Sequence, residues 1–306
     1  MAKRKRTKRN VNNYYKILSV IIALAVLIAG YFLGLDDLIF ADGGRVTAPA
    51  EGELIVRFID VGQADSILVM SSDEVMLIDT GDMDDDYTEK IISYIENLGI
   101  KEIDYLILTH PDADHIGGAP EIIGAFDIIN CIMPDYSKTT KIYENTLAAL
   151  EAEEGVNVIE ATPAYTFTVG EAVCKILAPL DEYKDANDAS VVIRLDFGKR
   201  SILFTGDAEK ESEEDIVAKY SASELKVDVL KSGHHGSRTS SSTELLDKAD
   251  PDYAVISCGT DNDYGHPHKE TIDRYQKYGI TVYRTDKQGT VILSIKDDKL
   301  NFITEK

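Results

Sequence analysis

Residues 110–118 read HPDADHIGG and place two imidazoles and two carboxylates, His110, Asp112, Asp114 and His115, within six residues. They follow a short apolar run at 105–108 that reads as a buried strand. A turn at the end of a strand can point four such side chains at one spot. Imidazole and carboxylate together are divalent-metal ligands. Carboxylates packed this closely repel one another unless a cation neutralises them. The chemistry expected here is therefore metal binding.

Other segments share this grammar of apolar strand followed by polar cluster. LIDTGD carries Asp79 and Asp82 after the run 75–78, and SILFTGDAE carries Asp207 after 201–204. VDVLKSGHHGSRTS carries His234 and His235 after 227–230, and ISCGTDNDYGHPH carries His266 and His268. All six histidines of the chain fall in these segments. Histidines found only after apolar strands argue for one shared site.

The elements that must position them alternate from Glu53 onward. Thirteen strand-like runs are separated by few helical patterns, at 87–98, 141–153, 209–220 and Lys269–Tyr278. That arrangement suggests an α/β domain of two packed sheets with helices outside, about 250 residues long.

The N-terminus reads differently. Residues 1–16 form a basic tail with seven Lys or Arg and no acid, and 17–35 is an uncharged apolar stretch of nineteen residues. Its length suits a single transmembrane helix, and the basic flank places the tail in the cytoplasm and the rest outside. A signal peptide, cleaved to release a secreted protein, is the competing reading, but its apolar region would be unusually long and Ile39-Phe40-Ala41 is a poor cleavage site. Residues 36–52 read as a linker, and 53–306 as the folded domain.

Beyond the tail, 25 basic and 54 acidic residues leave a formal charge of −29. Such a surface argues against a tight, extended grip on nucleic acid, though not against a phosphodiester substrate. Cys131, Cys174 and Cys258 have neither zinc-site spacing nor a disulfide framework and read as buried or incidental thiols. One disulfide with a thiol left over is the other reading.

FIDVGQADSILV, LIDTGD, LTHPDADHIGG, FTGDAE, LKSGHHGS and YGHPH resemble, in order, the motifs of metallo-β-lactamase-fold hydrolases. They most resemble the lactamase-like domain at the C-terminus of the ComEC competence proteins. The resemblance covers roughly residues 53–304 and implies an αβ/βα four-layer sandwich with a dinuclear metal site at one edge. It implies that His110 and Asp112 hold one ion, that Asp114 and His115 hold the other, and that Asp207 bridges both. One of His234 and His235 completes the second site, with His235 favoured by its place in the His-Gly pattern. Asp79 orients a ligand or closes its turn.

Two departures from the wider superfamily stand out. Asp112 replaces the second His of HxHxDH, and the segment before the bridging Asp offers Asn187 and Asp188 where a His is usual. The ComEC-like branch shares both. Oxygen-richer ligands move preference from Zn²⁺ toward Mn²⁺ and suggest one tight and one labile ion.

Two such ions about 3.5–4 Å apart acidify a water and clamp a phosphoryl oxygen. Asp114 then orients the attacking water. Lys231, Ser237 and Arg238 offset phosphate charge, His266 contacts substrate or serves as leaving-group acid, and His268 opens the following helix. The function expected is a membrane-anchored, extracytoplasmic phosphodiesterase or nuclease, possibly acting on DNA. The alternatives are an envelope hydrolase of small phosphodiesters, phosphorylcholine esters among them, and a metal-stabilised binding module without catalysis.

Overall fold

A computed structural model describes residues 48–72 and 74–306. The basic tail, the apolar stretch 17–35 and most of the linker lie outside the described residues. Among the described residues no helix is long and apolar enough to cross a membrane.

The chain first builds a sheet from apolar runs of five to seven residues. These are β1 (Glu53–Phe58), β2 (Ile67–Ser71), β3 (Glu74–Ile78), β4 (Glu102–Ile107), β5 (Asp127–Met133) and the shorter β6 (Asn157–Glu160). β1 to β3 pair antiparallel, and β3 to β6 run parallel, so the C-terminal ends of β3 and β4 lie side by side. The second sheet holds β7 (Thr166–Val169), β8 (Ala172–Ala178), β9 (Val192–Phe197), β10 (Arg200–Phe204), β11 (Val229–Lys231), β12 (Tyr253–Ile256) and β13 (Thr281–Arg284). Here β10 to β13 are parallel. The chain then returns to the first sheet with β14 (Val291–Lys296) and β15 (Lys299–Thr304), giving the order β15-β14-β1-β2-β3-β4-β5-β6.

Helices α1 (Asp85–Asn97), α2 (Ala113–Ile116), α3 (Ala119–Ala125) and α4 (Lys141–Ala152) follow strands of the first sheet. Those after the second sheet's strands are α5 (Lys210–Lys219), α6 (Ala222–Leu225), α7 (Thr243–Ala249), α8 (Lys269–Tyr278) and α9 (Thr285–Gln288). In α1, Asp84 caps the start by accepting from the Asp86 backbone N–H, and Thr88, Ile91 and Ile95 form one buried stripe. That stripe packs with Leu68, Leu77 and Leu106 from one face of the first sheet. The other face contributes Val56, Phe58, Val69 and Ile78 to a core shared with Ile193, Leu195 and Phe204 of the second sheet. The outer face of the second sheet packs Leu203, Leu230 and Ala254 against Ile216, Leu246 and Tyr275. The layers therefore run helix, sheet, sheet, helix, as expected.

Differences from the sequence reading are local. The strand expected at 227–230 lies at Val229–Lys231, which draws Lys231 into a fully buried ladder. β7 and β15 were unforeseen, because both alternate buried or half-buried with exposed residues and hold few apolar side chains. All three cysteines are buried and free.

One buried carboxyl fastens the second helical layer to the loop after the histidine pair. Glu213 of α5 accepts from the backbone N–H groups of Ser241 at 2.5 Å and Ser242 at 2.7 Å. Burial pushes its pKa up to about 7; those bonds and Arg274 pull the other way, while Tyr275 also faces it. The folded state thus keeps a proton that the unfolded chain loses near pH 4.3. The resulting stability is present below that pH and is lost as pH rises through about 7. In metal-chelated protein, urea unfolding should show wild type losing about 2–3 kcal/mol relative to Glu213→Gln between pH 5 and pH 8.

Candidate metal centre

Parallel strands end at a common edge, and the crevice outside their C-terminal ends is where open α/β sheets bind ligands. The loops after β3, β4, β10, β11 and β12 supply Asp79, His110–His115, Asp207, His234–His235 and His266. Backbone hydrogen bonds stitch the first of these loops together. The Thr80 N–H donates to the His115 carbonyl at 2.7 Å, and Asp65 N–H to the Asp114 carbonyl at 3.1 Å. Gly117 is required where α2 crosses the 81–83 turn, since a Cβ there would lie 2.3 Å from the Asp82 carbonyl carbon and the Met83 nitrogen. After β11, His234 and His235 both take left-handed backbone conformations, with φ of 47° and 52°. Non-glycine residues hold that conformation at a cost, and such strain clusters at functional sites.

Asp114, His115, Asp207 and His235 each offer one ligand atom, and those atoms all lie within 4.8 Å of one another. His115 Nε2 lies 3.3 Å from Asp207 Oδ1, and His235 Nε2 lies 3.2 Å from Asp114 Oδ2. Among the described residues buried His110 Nε2 has no hydrogen-bond partner, and buried His115 Nε2 and Asp207 Oδ1 have each other at 3.3 Å. Buried polar atoms are normally satisfied, and a cluster so sparsely bonded has the donor chemistry of cation ligands. The residues therefore fit a divalent ion.

Electrostatics agree with that fit. Burial works against ionisation of Asp207, but His115, His235 and His234 outweigh it and hold its carboxyl well below the usual range. Asp114 is likewise lowered, by His115 and His235 against burial. Burial disfavours the His115 cation, yet Asp207, Asp79 and Asp114 together raise its pKa well above normal. Burial and the neighbouring His115 push His110 well down. The cluster is an anionic pocket that already attracts positive charge.

Asp79 contacts both an imidazole and the backbone of the next loop. Its Oδ2 meets His115 Nδ1 at 2.7 Å, and its two oxygens accept from the Thr109 N–H and hydroxyl. This carboxylate–histidine pair leaves Nε2 facing the cluster, the arrangement that supports a metal-bound imidazole. Asp65, Asp79 and His115 also lie close enough to form a group. The carboxylates there are already engaged by Lys231 and Thr109, so that group is scaffolding.

His234 stands beside the group of four. Its Nε2 is 3.6 Å from Asp207 Oδ2, and its Nδ1 meets Glu209 Oε1 at 2.7 Å. Asn187 reaches the same Glu209, which places it one step behind His234. His110 lies against His115 with ring centroids 4.1 Å apart. Asp112 is turned to Lys138 and is not among the gathered ligands.

Three expected substrate contacts have other partners in the structure. Lys231 is fully buried and paired with Asp65 at 2.6 Å, because its strand is covered on both faces. Ser237 is buried and pairs with the Thr239 hydroxyl at 2.7 Å, closing the turn after the histidines. Arg238 is exposed but lies against Glu270 at 3.5 Å and His268. His268 precedes α8 as expected and accepts from the Arg238 N–H. His266 lies at the rim, its ring 5.2 Å from His234 and 6.2 Å from His235. Burial, then His234, His235 and His268, lower its pKa to about 4.

Asp65, Glu209 and Gln63 went unremarked in the sequence. Asp65 and Gln63 lie inside FIDVGQADSILV and Glu209 inside FTGDAE, so their proximity to the motif residues was the available signal.

Comparison with known proteins bears on this geometry. The sequence matches the metallo-beta-lactamase superfamily over residues 59–172 and 177–260. It is 34% identical over 259 residues to ComE operon protein 3 of Bacillus subtilis, a match covering 79% of this chain and 33% of that protein. It is 32% identical over 252 residues to competence protein ComA of Neisseria gonorrhoeae, covering 81% of this chain and 33% of the other. The chain thus spans about a third of the length of these relatives. The metallo-beta-lactamase fold protein YhfI of Bacillus subtilis has a similar fold, with a TM-score of 0.55, 15% identity, and coverage of 79% of this chain and 99% of that one.

Proposed function

We propose, because this chain belongs to the metallo-beta-lactamase superfamily and has ComEC-like competence proteins among its relatives, that it is a metal-dependent phosphodiesterase or nuclease. The observation that carries this reading is the gathering of ligand atoms from Asp114, His115, Asp207 and His235 within 4.8 Å of one another. Two divalent ions, Zn²⁺ or Mn²⁺, would be the cofactors. Asp114, His115, Asp207 and His235 would hold one ion, and His110, Asp207 and a reoriented Asp112 would hold the other. Bound there, divalent ions supply an acidified water and positive charge for a phosphoryl oxygen.

The chain's own residues do the rest. Asp114 is about one-third exposed while one of its oxygens reaches His235, so it can orient a water entering from solvent. Asp79 keeps His115 in one tautomer, and Glu209 holds His234 at the rim. The apolar stretch 17–35 anchors the domain to the membrane with the catalytic part outside.

A second reading, hydrolysis of small phosphodiesters of the cell envelope, is favoured by a specific observation. Lys231 and Arg238 are each already paired with a carboxylate, and the chain carries a formal charge of −22. A long polyanion finds little complementary charge in such a surface.

The test uses the full chain in detergent, loaded with Mn²⁺ or Zn²⁺. End-labelled single-stranded DNA is offered beside bis(p-nitrophenyl) phosphate. Hydrolysis should fall about 10²–10⁴-fold in Asp114→Ala. Cleavage of DNA supports the nuclease, and cleavage of the small diester alone supports the second reading. Activity unchanged by Asp114→Ala removes the assigned site from the reaction.

A further inference from the structure

His266 lies outside the gathered ligands, yet it is held as firmly as they are. Asn262 clamps its backbone. The Asn262 Oδ1 accepts from the His266 N–H at 2.9 Å, and its Nδ2 donates to the His266 carbonyl at 2.6 Å and to the Gly259 carbonyl at 2.9 Å. The ring is held from the other side of the chain, by Gln63, whose Nε2 lies 3.3 Å from His266 Nδ1. The segment between Gly259 and His266 is therefore locked to the loop after β1.

The orientation of the Gln63 amide follows from its second contact. The Gly259 backbone N–H can only donate, and it meets Gln63 Oε1 at 3.0 Å. That contact assigns the oxygen to Gly259 and turns the NH₂ group toward His266. An NH₂ group can only donate, so Nδ1 must accept. An accepting Nδ1 carries no proton, and the proton of the neutral ring sits on Nε2. The arrangement is tight, since a Cβ at Gly259 would lie 2.9 Å from the Gln63 backbone nitrogen and 3.2 Å from its Cβ. A side chain at position 259 would push against the backbone and Cβ from which the Gln63 amide is hung. His266 and Asn262 both lie beyond residue 260, where the superfamily match ends.

We propose that Gln63 is a positioning residue that fixes His266 as its Nε2–H tautomer, so that His266 donates a hydrogen bond to an anionic substrate oxygen beside His234 and His235. The inference rests on the phosphodiester reading for the identity of that oxygen. No proton leaves the ring, because a neutral imidazole that gave up its Nε2 proton would become an imidazolate. His266 therefore acts as a fixed donor to charge that develops on the phosphoryl group, and the leaving-group acid role is set aside. Donors of this kind contribute because they are aligned before the reaction begins.

Gln63→Glu is the sharpest test. The carboxylate still accepts from Gly259, but its other oxygen must accept from Nδ1 and so draws the ring proton to that atom. Gln63→Met removes the amide and leaves the ring to choose. The full chain, Zn²⁺-loaded and labelled with ¹⁵N only at histidine, reports the tautomer through its ring-nitrogen shifts, with His266 identified by its loss in His266→Ala. Wild type should show protonated Nε2 and bare Nδ1, and Gln63→Glu should show Nδ1 protonated. With bis(p-nitrophenyl) phosphate, kcat should fall about 10²–10³-fold in Gln63→Glu, with KM changed much less and Gln63→Met intermediate. Unchanged zinc content and melting temperature in both variants would separate this loss from misfolding. A wild-type ring protonated at Nδ1 overturns the proposal, as does a Gln63→Glu protein with unshifted ring nitrogens or undiminished kcat. Should no diester be hydrolysed, the phosphodiester reading fails while the nitrogen shifts still decide the tautomer.

Discussion

Asp207→Ala is expected to abolish metal uptake at the buried cluster, and Asp79→Ala to weaken it about 10–100-fold. The two carboxylates lie on opposite sides of one imidazole, which makes them a matched pair for experiment. Asp207 faces His115 Nε2 at 3.3 Å and also faces His234 and His235, each at 3.6 Å. It is the buried carboxylate on which three histidines converge. Its loss removes the charge that makes the pocket attract a cation. Asp79 touches only the far nitrogen, Nδ1, at 2.7 Å, and its oxygens also accept from Thr109. Without it His115 keeps its place but loses its preferred tautomer and orientation. Metal content after dialysis, and competition against a chromophoric chelator, should rank the proteins wild type, Asp79→Ala, Asp207→Ala. Full metal content in Asp207→Ala would show that the cluster is not the site. Equal loss in both variants would mean that Asp79 supports the fold of the turn more than the ligand.

The readability of this site in the sequence follows from how parallel strands deliver loops. His110, His115, Asp207 and His235 each come just after an apolar run, and a parallel sheet brings such run ends to one edge whatever the details of pairing. Strand ends and ligand types were therefore legible together. The choice between His234 and His235 was not. The two are adjacent in a turn where both have positive φ, and only the turn's geometry decides which ring meets Asp114. Lys231 misled for a related reason. Its neighbours in sequence are the loop residues Ser232–Gly236, so it read as part of a polar loop. Its register in β11 instead places it in a strand flanked by β10 and β12, where burial and a partner 166 positions earlier fix its role. Gln63, Asp65 and Glu209 escaped notice because their residue types are common in loops. Their meaning comes from contacts across sheets, which a single sequence does not record.

That buried pair carries the largest stability effect. Lys231 Nζ lies 2.6 Å from Asp65 Oδ2, both side chains are about 1% exposed, and the ammonium also donates to the Ser232 carbonyl at 3.0 Å. Removing one partner leaves an uncompensated charge in the interior, which costs about 3–5 kcal/mol. Lys231→Met should therefore destabilise the chelated protein by that amount. Asp65→Asn should cost less, since an amide oxygen still accepts from the ammonium although the lysine charge loses its counterion. The double variant should recover part of the Lys231→Met loss, because no lone charge remains. Position makes the pair more than a stability device. Asp65 Oδ1 is 3.6 Å from His235 Nδ1, and the Asp65 backbone donates to the Asp114 carbonyl while its own carbonyl accepts from Gly81. One residue thus touches the loops bearing Asp79, Asp114 and His235. Chemical denaturation of the four proteins of this cycle measures the coupling, and metal affinity of the double variant asks a separate question. If its stability returns but its metal affinity does not, the ion pair is kept for the alignment of His235 and Asp114. If both return, the pair serves the fold alone, and Lys231 has no part in the chemistry that its neighbours perform.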